Sequence, residues 1–234
     1  MIILTLRSWR LEMKILVMGD IHGQCPNIFN YIQKNQVDLI ILTGDITHFG
    51  PEKLGEDILN EICIFDTLTL AIPGNCDQTY IYGEIESSNA INIHNKSLII
   101  KNIGICGFGG SNTTPFNTPL EFAEIQIYSQ LEKLMSEIEN QEIRILVTHA
   151  PPWNTRADIL SSGHHAGSES IRKIIEEYQP TLNVCGHIHE SKAIDKIGDT
   201  FIINPGEFSE GFAGIIEIES KNGNVNISPE LIQV

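Results

Sequence analysis

Basic residues are scarce in this chain: 15 Lys and Arg stand against 30 Asp and Glu among 234 residues, a formal net charge of -15. A protein that grips long nucleic acid or an anionic lipid surface needs clustered positive charge, so neither partner is expected. Cysteine pairs are also lacking. The five cysteines (Cys25, Cys63, Cys76, Cys106 and Cys185) show no CxxC spacing, which excludes a cysteine zinc knot and argues against a disulfide framework. A reducing cytoplasm fits that usage. The opening stretch, Met1 to Met13, is apolar only in part and is broken by Arg7, Arg10 and Glu12, too short and too charged for a signal peptide or a membrane span. Residues 1–12 read as a mis-assigned start, an N-terminal extension or an added edge strand. Repeats, linkers and low-complexity tracts are missing too, and 41% apolar content is enough to bury a full core, so residues 1–234 are expected to form one domain.

What the chain does have is a set of short apolar runs, each followed by residues of metal-binding type. Ile15 to Met18, Leu39 to Leu42, Leu68 to Ile72, Ile145 to Val147 and Leu182 to Cys185 suit strands buried on both faces. Directly after them come Asp20-Ile-His22, Asp45, Asn75, His149 and His187-Ile-His189. Four of the clusters follow glycine (Gly19, Gly44, Gly74 and Gly186), which permits a tight turn and close approach of backbone to an ion. In α/β sheets the carboxyl ends of strands are where binding residues converge. From residue 14 to about 75 strands at 14–18, 38–43 and 67–72 alternate with helices at 26–35, opened by Pro26, and 52–63; this order predicts a parallel sheet. Further on, residues 91–107 read as short strands with a turn at Asn95. Leu120 to Glu139 reads as one amphipathic helix, and a later helix starts at Ser168. The tail from Lys192 reads as short strands with an Asn222-Gly223 hairpin turn.

An Asp-x-His or His-x-His spacing puts both ligands on one side of an extended segment while the middle residue turns inward. Carboxylate, imidazole and amide oxygen together suit borderline divalent ions (manganese, iron, zinc, cobalt or nickel) better than calcium. Any one of these residues is more often a turn or a surface residue, but five clusters all at strand ends are hard to read as turns. Two stretches without an apolar stripe, Phe108–Thr118 and Ala150–Gly167, are expected to rim the site, with Asn112, His164 and His165 as candidate substrate contacts. His94 reads as a turn residue whose removal should be nearly silent.

The order D-x-H, G-D, G-N, H and G-H-x-H, from Gly19 to His189, resembles the calcineurin-like metallophosphoesterase superfamily. The resemblance implies an α/β fold in which two mixed β-sheets pack as a sandwich flanked by helices. It assigns Asp20, His22 and His189 to one metal ion, Asn75, His149 and His187 to a second, and Asp45 to both. It also implies attack on phosphorus by a hydroxide held between the ions, with Asp45, Asn75 and His149 carrying the catalysis. One departure stands out. Where many members have a histidine after the G-N block as proton donor, this chain reads Gly74-Asn75-Cys76-Asp77, like small archaeal and bacterial phosphoesterases. Asp77 is expected to orient the ligand loops, and Cys76 to be a thiolate beside two cations. The reading is therefore a dinuclear phosphoesterase acting on a small phosphoester, most readily a diester. A binding module that keeps the fold without turnover, and a nuclease for short strands, are the alternatives; the intact ligand set and the lack of a basic stripe weigh against them.

Overall fold

The computed structural model describes residues 2–4, 12–25, 28–221 and 224–234. Pro26 and the Asn222-Gly223 pair lie outside them. Fifteen strands run in chain order: β1 Ile2–Leu4, β2 Glu12–Met18, β3 Leu39–Leu42, β4 Leu68–Ala71, β5 Ile91–Asn92, β6 Lys96–Ile100, β7 Ile103–Phe108, β8 Ser111–Asn112, β9 Glu121–Phe122, β10 Ile143–Thr148, β11 Leu182–Val184, β12 Ala193–Ile197, β13 Thr200–Asn204, β14 Phe212–Lys221 and β15 Asn224–Gln233. Five α-helices are interspersed: α1 Ile28–Lys34, α2 Leu54–Ile62, α3 Ile81–Ser87, α4 Glu124–Glu137 and α5 Glu169–Tyr178.

Two mixed sheets result. One has the order β1-β6-β7-β10-β11-β13-β12 and the other β15-β14-β2-β3-β4-β5. Within the second, β2, β3, β4 and β5 are parallel, as their alternation with helices predicts, while β14 joins β2 antiparallel. The first is parallel through β7, β10, β11 and β13, with antiparallel pairs at β6–β7 and β12–β13.

The period of two along a strand explains why these segments read as unbroken apolar runs. In β2, Ile15 and Val17 face the other sheet and pack with Leu39, Ile41, Ile105, Ile145 and Val147. Leu16 and Met18 point the opposite way, onto Ile28, Ile58 and Leu59 of α1 and α2. On the outer face of the first sheet, Cys106 and Leu146 pack with Leu131 and Met135 of α4 and Ile171 and Ile175 of α5. Both faces of each central strand are thus dry, and the fold is four layers deep, helix on sheet on sheet on helix.

Three expectations need correction. The helix read from Leu120 starts at Glu124, because Glu121–Phe122 pairs with Ser111–Asn112 as a two-stranded ribbon. Helix α3 was not anticipated: seven residues starting at Ile81 carry too few apolar positions to register as periodic. The end of the tail forms two ten-residue strands, β14 and β15, paired along their whole length, in place of short strands. Among the described residues no helix is long and apolar enough to cross a membrane.

Candidate metal centre

Five parallel strands, three from one sheet and two from the other, deliver the candidate residues. β2 leads to Asp20 and His22, β3 to Asp45, β4 to Asn75, β10 to His149, and β11 to His187 and His189. The chain bends sharply at each end. Asp20, His22, Asp45 and His187 all adopt positive φ, at 55°, 48°, 49° and 71°. Non-glycine residues rarely accept that region, and each such residue costs about 1–3 kcal/mol that surrounding contacts must offset. Those contacts are present: Asp20 N–H donates to Gly44 O (2.9 Å), and His22 N–H to Asp45 O (2.9 Å). Glycine matters most at two positions. A Cβ on Gly44, whose φ is 105°, would lie 2.6 Å from the Gly74 backbone and 2.8 Å from His149 Nδ1, and one on Gly74 would overlap Asp45 Oδ1. Either side chain would push Asp45, Asn75 and His149 apart.

The seven residues gather around one small space. His22 Nε2 lies 3.2 Å from His189 Nε2, which is 3.4 Å from Asp20 Oδ1. Across from them His149 Nε2 lies 2.8 Å from Asn75 Oδ1, and the rings of His149 and His187 are 5.0 Å apart. Asp45 stands between: Oδ1 is 3.6 Å from His149 Nε2 and Oδ2 is 3.9 Å from His22 Nε2. Two triplets, Asp20-His22-His189 and Asp20-Asp45-His149, hold their ligand atoms within 4.8 Å of one another and could each hold a metal ion.

Proton placement tests whether cations fit. His149 Nδ1 donates to Thr43 O at 2.8 Å, so its Nε2 carries a lone pair. That lone pair faces another acceptor, Asn75 Oδ1, whose own amide nitrogen donates to Thr118 Oγ1 (2.9 Å). Two acceptors at 2.8 Å repel unless a positive charge lies between or beside them. His22 and His189 converge in the same way, with the positive charge there supplied by a proton on His189 or by a metal ion. His189 Nδ1 is turned to Glu207 Oε2 at 2.9 Å, and its Nε2 looks at His22 Nε2.

The electrostatics agree. Although burial works against it, the hydrogen bond and charge of Asp20, with Glu207 and Asp45, raise His189 to about 9, so the surrounding carboxylates demand a cation there. Burial lowers His22 and takes His187 to about 3, leaving both neutral and able to ligate. Burial raises Asp45 against the pull of His149, whereas at Asp20 the burial penalty is outweighed by His189 and the other imidazoles, which hold it low. Asp77 does what its position suggested. It accepts from Ile46 N, Thr47 N, Thr47 Oγ1 and Gly74 N, tying the Asp45 loop to the Asn75 loop. Burial and the Asp45 charge still push it up to about 6.

Cys76 sits beside Asp45. Its backbone N–H donates to Asp45 Oδ1 (2.8 Å), but burial and the Asp45 carboxylate push its thiol well up, away from the thiolate. Cations would have to overcome both effects to ionise it. His94 differs from the turn residue expected: the turn is at Asn95 (φ 54°), and the His94 ring is packed among Tyr82, Phe108 and Phe122, with Nδ1 accepting from Gly109 N at 2.9 Å.

The two rim stretches meet at a cavity of about 800 Å³ that shares His187, His189 and Phe116 with the metal space, itself about 560 Å³. Asn112 and His165 line the larger cavity. Asn112 donates to Ala166 O (3.3 Å) and leaves Oδ1 buried without a hydrogen-bond partner. His165 is fixed by Asp158 (2.7 Å), whereas His164 is exposed, turned to Ser162 Oγ, and lines neither space. Sequence reasoning missed Glu207, Thr43 and Thr118. A carbonyl and two unremarkable polar residues distant along the chain carry no local signal.

Fold and site together define a phosphoesterase-type α/β sandwich. The chain belongs to the calcineurin-like phosphoesterase family, whose sequence model matches residues 13–191. It is 44% identical over 204 residues to the uncharacterised protein MJ1162 of Methanocaldococcus jannaschii, covering 82% of this chain and 88% of that one. It is 25% identical over 175 residues to a protein of Arcobacter nitrofigilis described as a probable glycerophosphodiester phosphodiesterase GpdQ, covering 73% of this chain and 64% of that one. Among solved structures, a putative 5'-nucleotidase from Staphylococcus aureus superposes with a TM-score of 0.66 at 15% identity, over 95% of this chain and 54% of that one, a likeness of fold.

Proposed function

We propose that this protein is a hydrolase that cleaves a small phosphodiester with the help of two divalent metal ions. In this reading Asp20, His22 and His189 hold one ion, Asn75, His149 and His187 the other, and Asp45 touches both. The observation that carries it is the convergence of ligand atoms, Asp20 with His22 and His189 on one side and His149 Nε2 against Asn75 Oδ1 on the other, with the rings of His149 and His189 fixed from behind by Thr43 O and Glu207. Side chains are held this way where cations complete the set. Imidazoles with carboxylates suit manganese, iron, zinc, cobalt or nickel.

Two such ions, when bound, lower the pKa of water and offset the charge that builds on phosphoryl oxygens. The chain's own residues then have separate tasks. Thr43 O and Glu207 fix the ring orientations of His149 and His189. Asp77 holds the two loops in register. The larger cavity offers apolar surface to an organic group. A diester is favoured because no imidazole follows Asn75 to protonate a poor leaving group, and the Arcobacter relative's description points the same way. Five free thiols suit a reducing compartment such as the cytoplasm. The test is turnover of bis(p-nitrophenyl) phosphate by manganese-loaded protein and its Asp45→Asn variant. Loss of roughly a hundredfold or more in that variant is expected, beyond what outer partners of metal ligands contribute. Unchanged turnover would place the chemistry elsewhere.

A further inference from the structure

The cavity beside the metal space has walls of one character. Trp153, Leu160 and Phe116 supply apolar surface, and Phe116 and Trp153 are large hydrophobics left exposed, at 81% and 38%. Apart from the histidines, its ionisable residues are all acidic. Glu124 is anchored by Ser168 Oγ (2.8 Å) and Ser170 N (2.9 Å), Glu190 by Ser161 N (3.0 Å) and Ser161 Oγ (3.1 Å), and Glu169 is exposed on α5. Among the described residues, neither this cavity nor the metal space is lined by Lys or Arg.

These features constrain what can enter. A diester carries one negative charge on its phosphoryl group, which the metal space would take. The organic group must then extend past His187 and His189 into the larger cavity, because those residues line both spaces. There it meets aromatic and aliphatic carbon, which rewards buried apolar area. A second negative charge, held at the far end from the shared histidines, would meet the carboxylates of Glu124, Glu169 and Glu190 with no Lys or Arg to pair with, which is costly. We infer that the substrate is a phosphodiester with a bulky, largely apolar alcohol group that bears no negative charge, seated between Phe116, Trp153 and Leu160. Small polar esters and those carrying a further phosphate or carboxylate are disfavoured.

This inference rests on the proposed phosphoesterase site, and a binding experiment separates the two. Manganese-loaded full-length protein is titrated by calorimetry with three methylphosphonate monoesters of one alcohol each: the monoanionic benzyl and methyl esters and the dianionic 4-carboxybenzyl ester. Benzyl methylphosphonate is expected to bind roughly tenfold or more tighter than the methyl ester, on the scale of burying one aromatic group. The carboxylate should remove most of that gain. Trp153→Ala should reduce the benzyl advantage and leave methyl methylphosphonate unchanged, and Glu169→Gln with Glu190→Gln should recover binding of the carboxybenzyl ester. Equal affinity for benzyl and methyl esters, binding of neither, or no discrimination against the carboxylate would overturn the inference. If the expected pattern appears but no aryl phosphodiester is turned over, the cavity assignment stands and the hydrolase reading falls.

Discussion

At His94 the physical outcome of a substitution is the reverse of what its place beside a turn suggests. Burial and then Lys96 lower its pKa to about 4, so the folded protein holds it neutral. The unfolded chain binds that proton near pH 6.5, so between about 6.5 and 4 unfolding takes up a proton. The stability owed to a neutral His94 is therefore complete above pH 6.5 and declines as pH falls toward 4, by on the order of 3 kcal/mol across the window. His94→Ala should destabilise by roughly 2–3 kcal/mol at neutral pH, since it removes a packed ring and the acceptor for Gly109 N–H. Its unfolding free energy should also depend less on pH below 6.5. Urea titrations of both proteins at pH 7 and pH 5 check this; equal stability at pH 7 would mean the ring contributes nothing.

Cys76 offers a second test among single residues. Without an imidazole at that position, turnover should fall steeply as leaving-group pKa rises across a series of aryl and alkyl phosphodiesters. General-acid assistance is typically worth about a hundredfold or more, so Cys76→His should help the poorest leaving groups most. A flat dependence in the wild type combined with a large loss in Cys76→Ala would show that a proton donor is already in place. A half-buried thiol that keeps its proton would make that outcome chemically distinct from a thiolate, which has no proton to give.

Among elements, the β8–β9 ribbon and the turn it encloses govern how the larger cavity meets the metal space. Glu121, at the start of β9, accepts from Thr114 N (3.1 Å), Thr114 Oγ1 (2.6 Å), Thr118 N (2.8 Å) and Thr118 Oγ1 (2.6 Å). Against its burial these bonds take its pKa down to about 2, so the carboxylate stays ionised and the turn stays tied even in mild acid. Because Thr118 Oγ1 in turn accepts from Asn75, Glu121→Gln should loosen Phe116 and Asn75 together. The expected result is a several-fold rise in KM for aryl diesters together with a lower melting temperature, since the same four bonds hold the turn. No change in KM would separate the turn from substrate binding.

The same elements show what the sequence reveals and what it hides. Central strands were legible because dry faces on both sides leave an uninterrupted apolar run, and the seven candidate ligands because each stands directly after such a run. Ser168 was legible as a helix cap, and its hydroxyl does accept from Ile171 N (3.2 Å). The ribbon was not legible, since two-residue strands have no period, and Glu121 at its edge resembles the first turn of the helix that follows. Glu207 was out of reach for another reason: its partner His189 is brought to it by sheet topology, which no local pattern encodes.

For the whole molecule, two sheets built from distant parts of one chain bring seven side chains together, and the proposed function requires them to hold two metal ions, a claim about the protein's metal content. Acidity fits that claim, because bound cations offset part of a net charge of -15. The direct measurement is titration of chelator-treated protein with manganese, followed by elemental analysis of the protein after gel filtration. Close to two ions per chain should be retained by the wild type, and fewer by Asp45→Asn because the residue shared by both is weakened. No retained transition metal in the wild type, or equal retention in the variant, would contradict it.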